Sequence, residues 1–223
     1  ISECLVGSEM CIRDRYILIT LYSGTPGSGK SLHLAEKLYY RIRSGRPTIC
    51  NFDVHVNYKK IKAKRFYDSF RYIDNLELTP QRLIDYSQKL FKNKRPKEGS
   101  ILLVIDECQI LFNSRDWGRS GRNEWLSFFT QHRKYGYDIV LVSQFDRMID
   151  RQIRSLIEYE LVHRKVSNYG LIGKILSMIS IGNLFVSVKI WYPMKEKVGS
   201  QFFKAHKKYY SLYDTYNIFT TPG

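Results

Sequence analysis

"YSGTPGSGKSLH", residues Tyr22–His33, decides how the rest of the chain is read. Gly24-Thr25-Pro26-Gly27-Ser28-Gly29-Lys30-Ser31 satisfies G-x-x-x-x-G-K-[ST] in full, and Leu32 carries it into the next element. The preceding "RYILITLYS" (15–23) is a short apolar run ending in polar and glycine residues, the pattern of a buried parallel strand. The following "SLHLAEKLYYRIRSG" spaces Leu34, Leu38, Tyr39 and Ile42 at helical intervals and stops at Gly45. A glycine-rich turn between strand and helix lets backbone N–H groups close around phosphates at the electropositive helix end. In such a loop Lys30 reaches the β- and γ-phosphates and the Ser31 hydroxyl ligates Mg²⁺. ATP and Mg²⁺ are therefore the expected cofactors, held along Gly24 to Leu32.

Further strands and helices alternate downstream. "PTICNFDVHV" (47–56) reads as the next strand. "TPQRLIDYSQKLF" offers Thr79 as N-cap, Pro80 at the first helical position, and Leu83, Tyr86 and Leu90 on one face. "NEWLSFFTQHRKYG" spaces Trp125, Phe128, Phe129 and His132 as a helix ending at Gly136. "DIVLVSQ" (138–144) is another buried strand. "YELVHRKV" and "LFVSVKIWY" suggest strands added at an edge. Alternation of this kind predicts an α/β fold of three layers, α/β/α, around a mostly parallel sheet, plus a small C-terminal β-rich extension. The expected division is a core over 16–160 and an extension and tail of the same domain over 161–223.

"ILLVIDE" (101–107) supplies the second half of the chemistry: an apolar strand, expected beside the phosphate-loop strand, delivers Asp106 to the Mg²⁺ shell. Glu107 follows and can polarise an attacking water, which favours hydrolysis over transfer to an acceptor. "LVSQFDRMIDRQIR" (141–154) places Gln144 at a strand end as a candidate γ-phosphate sensor. Arg151 and Arg154 are candidate arginine fingers toward a neighbouring subunit, with Arg133 competing for that role; a sheet-edge ion pair is the plain alternative for each. Asn51 and Asp53 read as turn residues.

Lys+Arg 36 against Asp+Glu 21 gives a net charge of +15, which favours polyanionic surroundings: nucleic acid or an anionic membrane face. A solvated basic surface is the plain alternative. The cations cluster with aromatics in "YKKIKAKRFYDSFR" (58–71), "KNKRPK" (92–97), "RDWGRSGR" (115–122) and "FKAHKKYY" (203–210), a mixture suited to phosphates and bases. No helix-turn-helix, RNP-type or zinc-finger pattern accompanies them. Cys4, Cys11, Cys50 and Cys108 form no C-x-x-C pair, and Cys50 and Cys108 lie in apolar runs as buried reduced thiols, fitting a cytosolic compartment. The five histidines lack metal-ligand spacing, so no structural metal is expected. "ISECLVGSEMCIRDR" (1–15) resembles adapter read-through and is set aside as non-native. "ILSMISIGNLFVSV" (175–188) falls short of the about 20 apolar residues of a membrane span, and its Gly182-Asn183 suggests a hairpin.

Taken together, "YSGTPGSGKSLH", "ILLVIDECQILF", "QHRKYGYDIVLVSQFDRMIDRQIR" and the late "YSLYDTY" resemble the zonular occludens toxin (Zot) family, which includes the filamentous-phage (inovirus) assembly ATPases. The resemblance covers roughly 16–216. It implies a P-loop NTPase core of the RecA/FtsK type in a membrane-associated motor that extrudes single-stranded phage DNA, or its coat-protein complex, through the host envelope. Its ATP site carries onto Gly24 to Ser31, Asp106 and Glu107, with Gln144 as sensor. It further implies a homo-oligomeric ring at the cytoplasmic face of the host inner membrane, with the membrane or a membrane partner as its anchor, or in the cytoplasm if no membrane segment follows. The family's toxin activity is not carried over. Two alternatives remain open on the residues alone: a small-molecule kinase with "RDWGRSGR" as its lid, and a nucleotide-binding adaptor without turnover.

Overall fold

All five residues of Ile101–Ile105 are buried, which requires apolar layers on both faces of the strand they form. The computed structural model describes residues 18–54, 68–92, 94–115, 121–169, 184–206, 209 and 212. Its strands are β1 (Ile19–Ser23), β2 (Thr48–Cys50), β3 (Phe70–Tyr72), β4 (Ile101–Ile105), β5 (Tyr137–Val142), β6 (Tyr159–Lys165), β7 (Leu184–Trp191) and β8 (Glu196–Lys204). They form one sheet in the order β3-β2-β4-β5-β1-β6-β7-β8. The six strands from β3 to β6 are parallel; β7 and β8 add antiparallel ribbons at one edge.

Strand alternation assigns the layers. Tyr22, Leu102, Val104, Val140 and Val142 face α1 (Lys30–Arg43) and its Leu34, Leu38 and Ile42. Leu21, Leu103, Ile105, Ile139 and Leu141 face the opposite way. There they meet Leu83 of α2 (Pro80–Phe91), Phe128 and Phe129 of α3 (Arg122–Gln131), and Ile153 of α4 (Arg151–Arg154). Each fully buried aliphatic or aromatic side chain is worth about 1.5–3 kcal/mol. An exposed ion pair such as Arg82–Glu77 is worth about 0–1 kcal/mol, so the two apolar layers dominate the fold.

Several sequence expectations need correction. The strand expected over 47–56 is only Thr48–Cys50, because the Asn51 side chain turns to the backbone of Asp106; residues 55 and 56 lie outside the described ones. Leu90 is 40 % exposed rather than part of the inner face of α2. The inward place one turn after Leu83 belongs to Ser87, whose hydroxyl donates to the Tyr135 carbonyl at 2.8 Å. β4 does not lie beside β1, since β5 is inserted between them. β6 is not merely an edge addition; it pairs in parallel with β1, so the boundary expected at 160–161 runs through it. β3 and β8 went unread, β3 because it is three residues inside a basic stretch. β8 gave no pattern because Phe203 alone among its residues is buried.

Cys50 and Cys108 are free and buried, and burial pushes both thiols well above their usual range. Of the four basic-aromatic clusters, residues 58–67, 93, 116–120, 207, 208 and 210 lie outside the described residues, as do 1–15 and 175–183. Among the described residues no helix is long and apolar enough to cross a membrane.

β1, α1 and β6 are joined by a histidine pair, His163 buried and His33 half-buried. The Ser23 carbonyl can only accept, so His163 Nδ1–H donates to it at 3.2 Å. His163 Nε2 is then the acceptor for His33 Nδ1–H at 2.8 Å. Tyr22 and Phe203 pack against both rings. Burial, followed by repulsion from Lys37, lowers His33 to about 4. Burial, followed by repulsion from His33, lowers His163 to about 3. Both folded-state values lie below the ordinary 6.5, so the unfolded chain binds more protons in that interval. Stability is full above about pH 6.5 and falls as pH drops toward 4. Urea midpoints between pH 7.5 and 4.5 should therefore decline in the wild type and decline less in His163→Gln. Equal slopes would assign the acid sensitivity elsewhere.

Candidate nucleotide site

The loop 24–29 leaves β1 at its C-terminal end and enters α1 through three positive-φ glycines, Gly24, Gly27 and Gly29. Two of these are also required by close packing. A Cβ on Gly24 would lie 2.6 Å from the His163 carbonyl oxygen, and one on Gly29 would lie 2.7 Å from the Phe185 ring. β6 and β7 thus support the loop directly. Ser28 N–H donates to Thr25 O at 3.1 Å, closing the turn. Lys30 Nζ folds over it, donating to Gly24 O at 2.5 Å and Thr25 O at 3.3 Å.

The sheet order brings the remaining groups to the same edge. β1 pairs with β5, and β5 with β4, all in parallel. Gly24 N–H donates to the Gln144 carbonyl at 3.2 Å, which ties the start of the loop to the end of β5. Asp106, 5 % exposed, immediately follows β4, two strands from β1, a separation of about 10 Å at the usual strand spacing. Its Oδ1 accepts from Glu107 N–H at 2.8 Å. Glu107 holds φ 45°, a left-handed conformation uncommon for a residue with a side chain, and its carboxylate accepts from Gln109 Nε2. Burial depresses the Lys30 pKa, and the negative charges of Asp106 and Glu107 pull it back up. The ammonium and the two carboxylates are therefore electrostatic neighbours.

The arginine candidates differ in place, with Arg154 near Asp146 of the cavity that adjoins the loop and Arg133 at the far end of β1. Arg133 pairs with Glu158 at 3.4 Å, and Glu158 N–H donates to Ile19 O at the start of β1, the end remote from the loop. Arg154 lies within electrostatic range of Asp146 and Tyr192 of its own chain, and exposed Arg151 opens α4. Arg122 is bound to Asp150 at 2.7 Å; most of the stretch considered as a lid, 116–120, is outside the described residues. Sequence reading missed Asn51, taken for a turn residue, which contacts the Asp106 backbone at both ends of its amide. Nothing in its local pattern separates it from an ordinary turn asparagine.

The residues fit a triphosphate and its metal. The Ser28 hydroxyl is buried and has no partner among the described residues, the Gly24 and Gly29 positions exclude any side chain, and the Lys30 ammonium sits over the loop. Gly24 to Leu32 would hold the phosphates, and Ser31 and Asp106 the Mg²⁺. Bound Mg²⁺ neutralises phosphate charge and orients the oxygens. A cavity of about 530 Å³ adjoins the loop, lined by Gly24, Thr25, Gln144, Glu160 and Tyr169 among others. The fold and this edge define a P-loop NTPase of the class with an extra strand between the phosphate-loop and acidic strands.

The family description "Zonular occludens toxin (Zot)" matches residues 18–218. The chain belongs to that family. It is similar to the Gene 1 protein of Enterobacteria phage I2-2, 25% identical over 220 residues covering 91% of this chain and 58% of that protein. The Gene 1 protein of Enterobacteria phage M13 is 26% identical over 211 residues, covering 89% and 59%. The chain thus spans less than two-thirds of the length of these relatives. The N-terminal domain of zonular occludens toxin from Neisseria meningitidis superposes with TM-score 0.56 at 19% identity, covering 88% of this chain and 98% of that one. The DNA-packaging ATPase B204 from Sulfolobus Turreted Icosahedral Virus gives 0.52 at 14%, covering 86% and 99%.

Lys30→Ala removes the cation that balances phosphate charge while leaving the loop glycines in place. Titration with a fluorescent ATP analogue should show affinity reduced at least about 100-fold, the scale of a lost charge-assisted contact of about 3 kcal/mol, with an unchanged melting temperature.

Proposed function

We propose that the protein is a Mg²⁺-dependent ATP hydrolase that powers assembly and extrusion of filamentous-phage single-stranded DNA from the cytoplasmic face of the host inner membrane. The observation that carries this reading is the convergence of Lys30, Asp106 and Glu107 at one sheet edge, with the Gln144 backbone fastened to the loop. Glu107 stands as the base for water, Asp106 and Ser31 as metal ligands, and Gln144 as the sensor at the end of β5. The phage origin of the Gene 1 relatives and the packaging role stated for B204 support a DNA-moving motor over a metabolic enzyme.

Charge distribution supports a polyanionic partner. Arg43 ends α1 and Arg46 follows it into β2, and Lys92, Lys94, Arg95 and Lys97 follow α2 into β4; all six are exposed. They gather at the N-terminal edge of the sheet, opposite the phosphate loop, where Arg41 joins the two segments through Gly99 O at 2.9 Å and Ser100 O at 2.8 Å. Helix C-termini favour some of these cations, but six exposed charges on one edge also suit phosphate contacts. In a homo-oligomeric ring, Arg151 or Arg154 of one copy would serve the nucleotide of the next, with the coat-protein complex or a membrane partner completing the machine.

The test is phosphate release by purified protein with Mg²⁺-ATP. Long single-stranded DNA should accelerate it at low salt, and Glu107→Gln should bind ATP normally but turn over at least about 100-fold more slowly, within the range for a general base. Undiminished turnover in Glu107→Gln would remove it as base. Phosphate transfer to a nucleoside acceptor would replace the motor reading with a kinase.

A further inference from the structure

The tip of β2 and the loop after β3 meet the acidic strand through an arrangement that the phosphate-loop chemistry does not itself require. Asn51 Nδ2 donates to the Asp106 carbonyl at 2.8 Å, and Asp106 N–H donates to Asn51 Oδ1 at 2.7 Å. One side-chain amide thus closes a two-bond ring onto the backbone of the residue that immediately precedes Glu107. The second Nδ2 hydrogen goes to Asn75 Oδ1 at 2.9 Å. Asn51 is 3% exposed and Asn75 4%. Backbone bonds fasten the assembly at both ends: Asn51 N–H donates to Val104 O at 3.3 Å, and Ile73 N–H to Cys50 O at 3.0 Å.

Three features give the arrangement consequences. First, the strand ladder ends at Ile105, so Asp106 and Glu107 extend beyond it and Asn51 supplies the bonds that a neighbouring strand would otherwise make. Second, Glu107 holds left-handed backbone at φ 45°, a conformation that persists when the surroundings over-determine it. Asn51 fixes the peptide on one side of it, and Ile110 N–H donating to Glu107 O at 2.9 Å fixes the other. Third, Asn51 follows β2 and Asn75 follows β3, so the pair ties the ends of two further strands to the backbone that carries both acids. The edge of the sheet and the acidic strand end are thereby one hydrogen-bonded unit.

We propose that Asn51, braced by Asn75, is a positioning residue for hydrolysis: it sets the Asp106–Glu107 backbone, and through it the direction of both carboxylates, without touching the nucleotide. The proposal rests on the reading of the edge as an ATP-hydrolysing site. It assigns a role to the β2–β3 end of the sheet, which otherwise lies away from the loop.

The test compares wild type, Asn51→Ala, Asn75→Ala and Asn75→Asp in steady-state ATP hydrolysis and in binding of a fluorescent ATP analogue, with thermal melts as the folding control. Displacing catalytic groups by about 1 Å from a remote site costs roughly 100-fold, so kcat should fall between about 10- and 100-fold in Asn51→Ala at analogue affinity within about threefold of wild type. Asn75→Ala should fall less, and Asn75→Asp, which retains the acceptor for Asn51 Nδ2, should recover most of the loss. If Asn51→Ala fails to fold, the Asn75 pair carries the test: a kcat loss in the alanine variant and recovery in the aspartate variant uphold the proposal. Unchanged kcat in the folded alanine variants overturns it while leaving the ATPase reading intact. Equal losses of kcat and analogue affinity overturn it too, by showing a merely structural role. A wild type that binds the analogue but does not hydrolyse ATP overturns both.

Discussion

Three parallel strands must end level for this molecule to work, and the backbone bond from Gly24 N–H to Gln144 O is where that constraint is visible. It joins the first residue of the phosphate loop to Gln144, two residues past the end of the strand beside it. The β1–β5–β4 register then carries Asp106 and Glu107 to the same edge. Shifting β5 by one residue would exchange the faces of Ile139 and Val140, which separate layers now claim. The positions of the chemical groups are thus secured by hydrophobic packing far more than by their mutual attraction.

The C-terminal β extension bears on the same constraint. β6 fills the other side of β1, its Glu160 accepting from Ser23 Oγ at 2.6 Å. Lys195, at the β7–β8 turn, reaches both Glu160 and Asp146 at 3.4 Å, and Tyr192 donates to Asp146 at 2.9 Å. Hydrogen bonds and ring contacts therefore run from the loop after Gln144, through the extension, and back to the residue before Gly24. The Phe185 ring closes the arrangement against Gly29. The extension is a buttress for the phosphate loop, which gives a structural reason why the family resemblance continues past the last motif.

Legibility in the sequence followed the range of the interactions. The phosphate loop, its flanking strand and helix, and the Val-Ile-Asp-Glu strand end were readable because short contiguous patterns determine them. Apolar periodicity gave Leu34, Leu38 and Ile42 of α1 and Phe128 and Phe129 of α3, all of which are buried. Leu90 misled because periodicity does not say where a helix stops: Lys92 adopts left-handed backbone one residue past Phe91, and Ser87 holds the inward place. The insertion of β5 between β1 and β4 is a matter of long-range pairing, invisible to local pattern. Asn51 was misread for the same reason. Its partners, Asn75 and Asp106, are 24 and 55 residues away, while its neighbours suggest only a turn.

The most direct measurement is a crystal structure with a non-hydrolysable ATP analogue and Mg²⁺. The account predicts the triphosphate within residues 24–31, and Lys30 Nζ moved from the Gly24 and Thr25 carbonyls onto the phosphates. The metal should lie between Ser31 and Asp106, with Glu107 directed at the terminal phosphate. An analogue bound elsewhere, with Lys30 still on the loop carbonyls at saturating concentration, would contradict it.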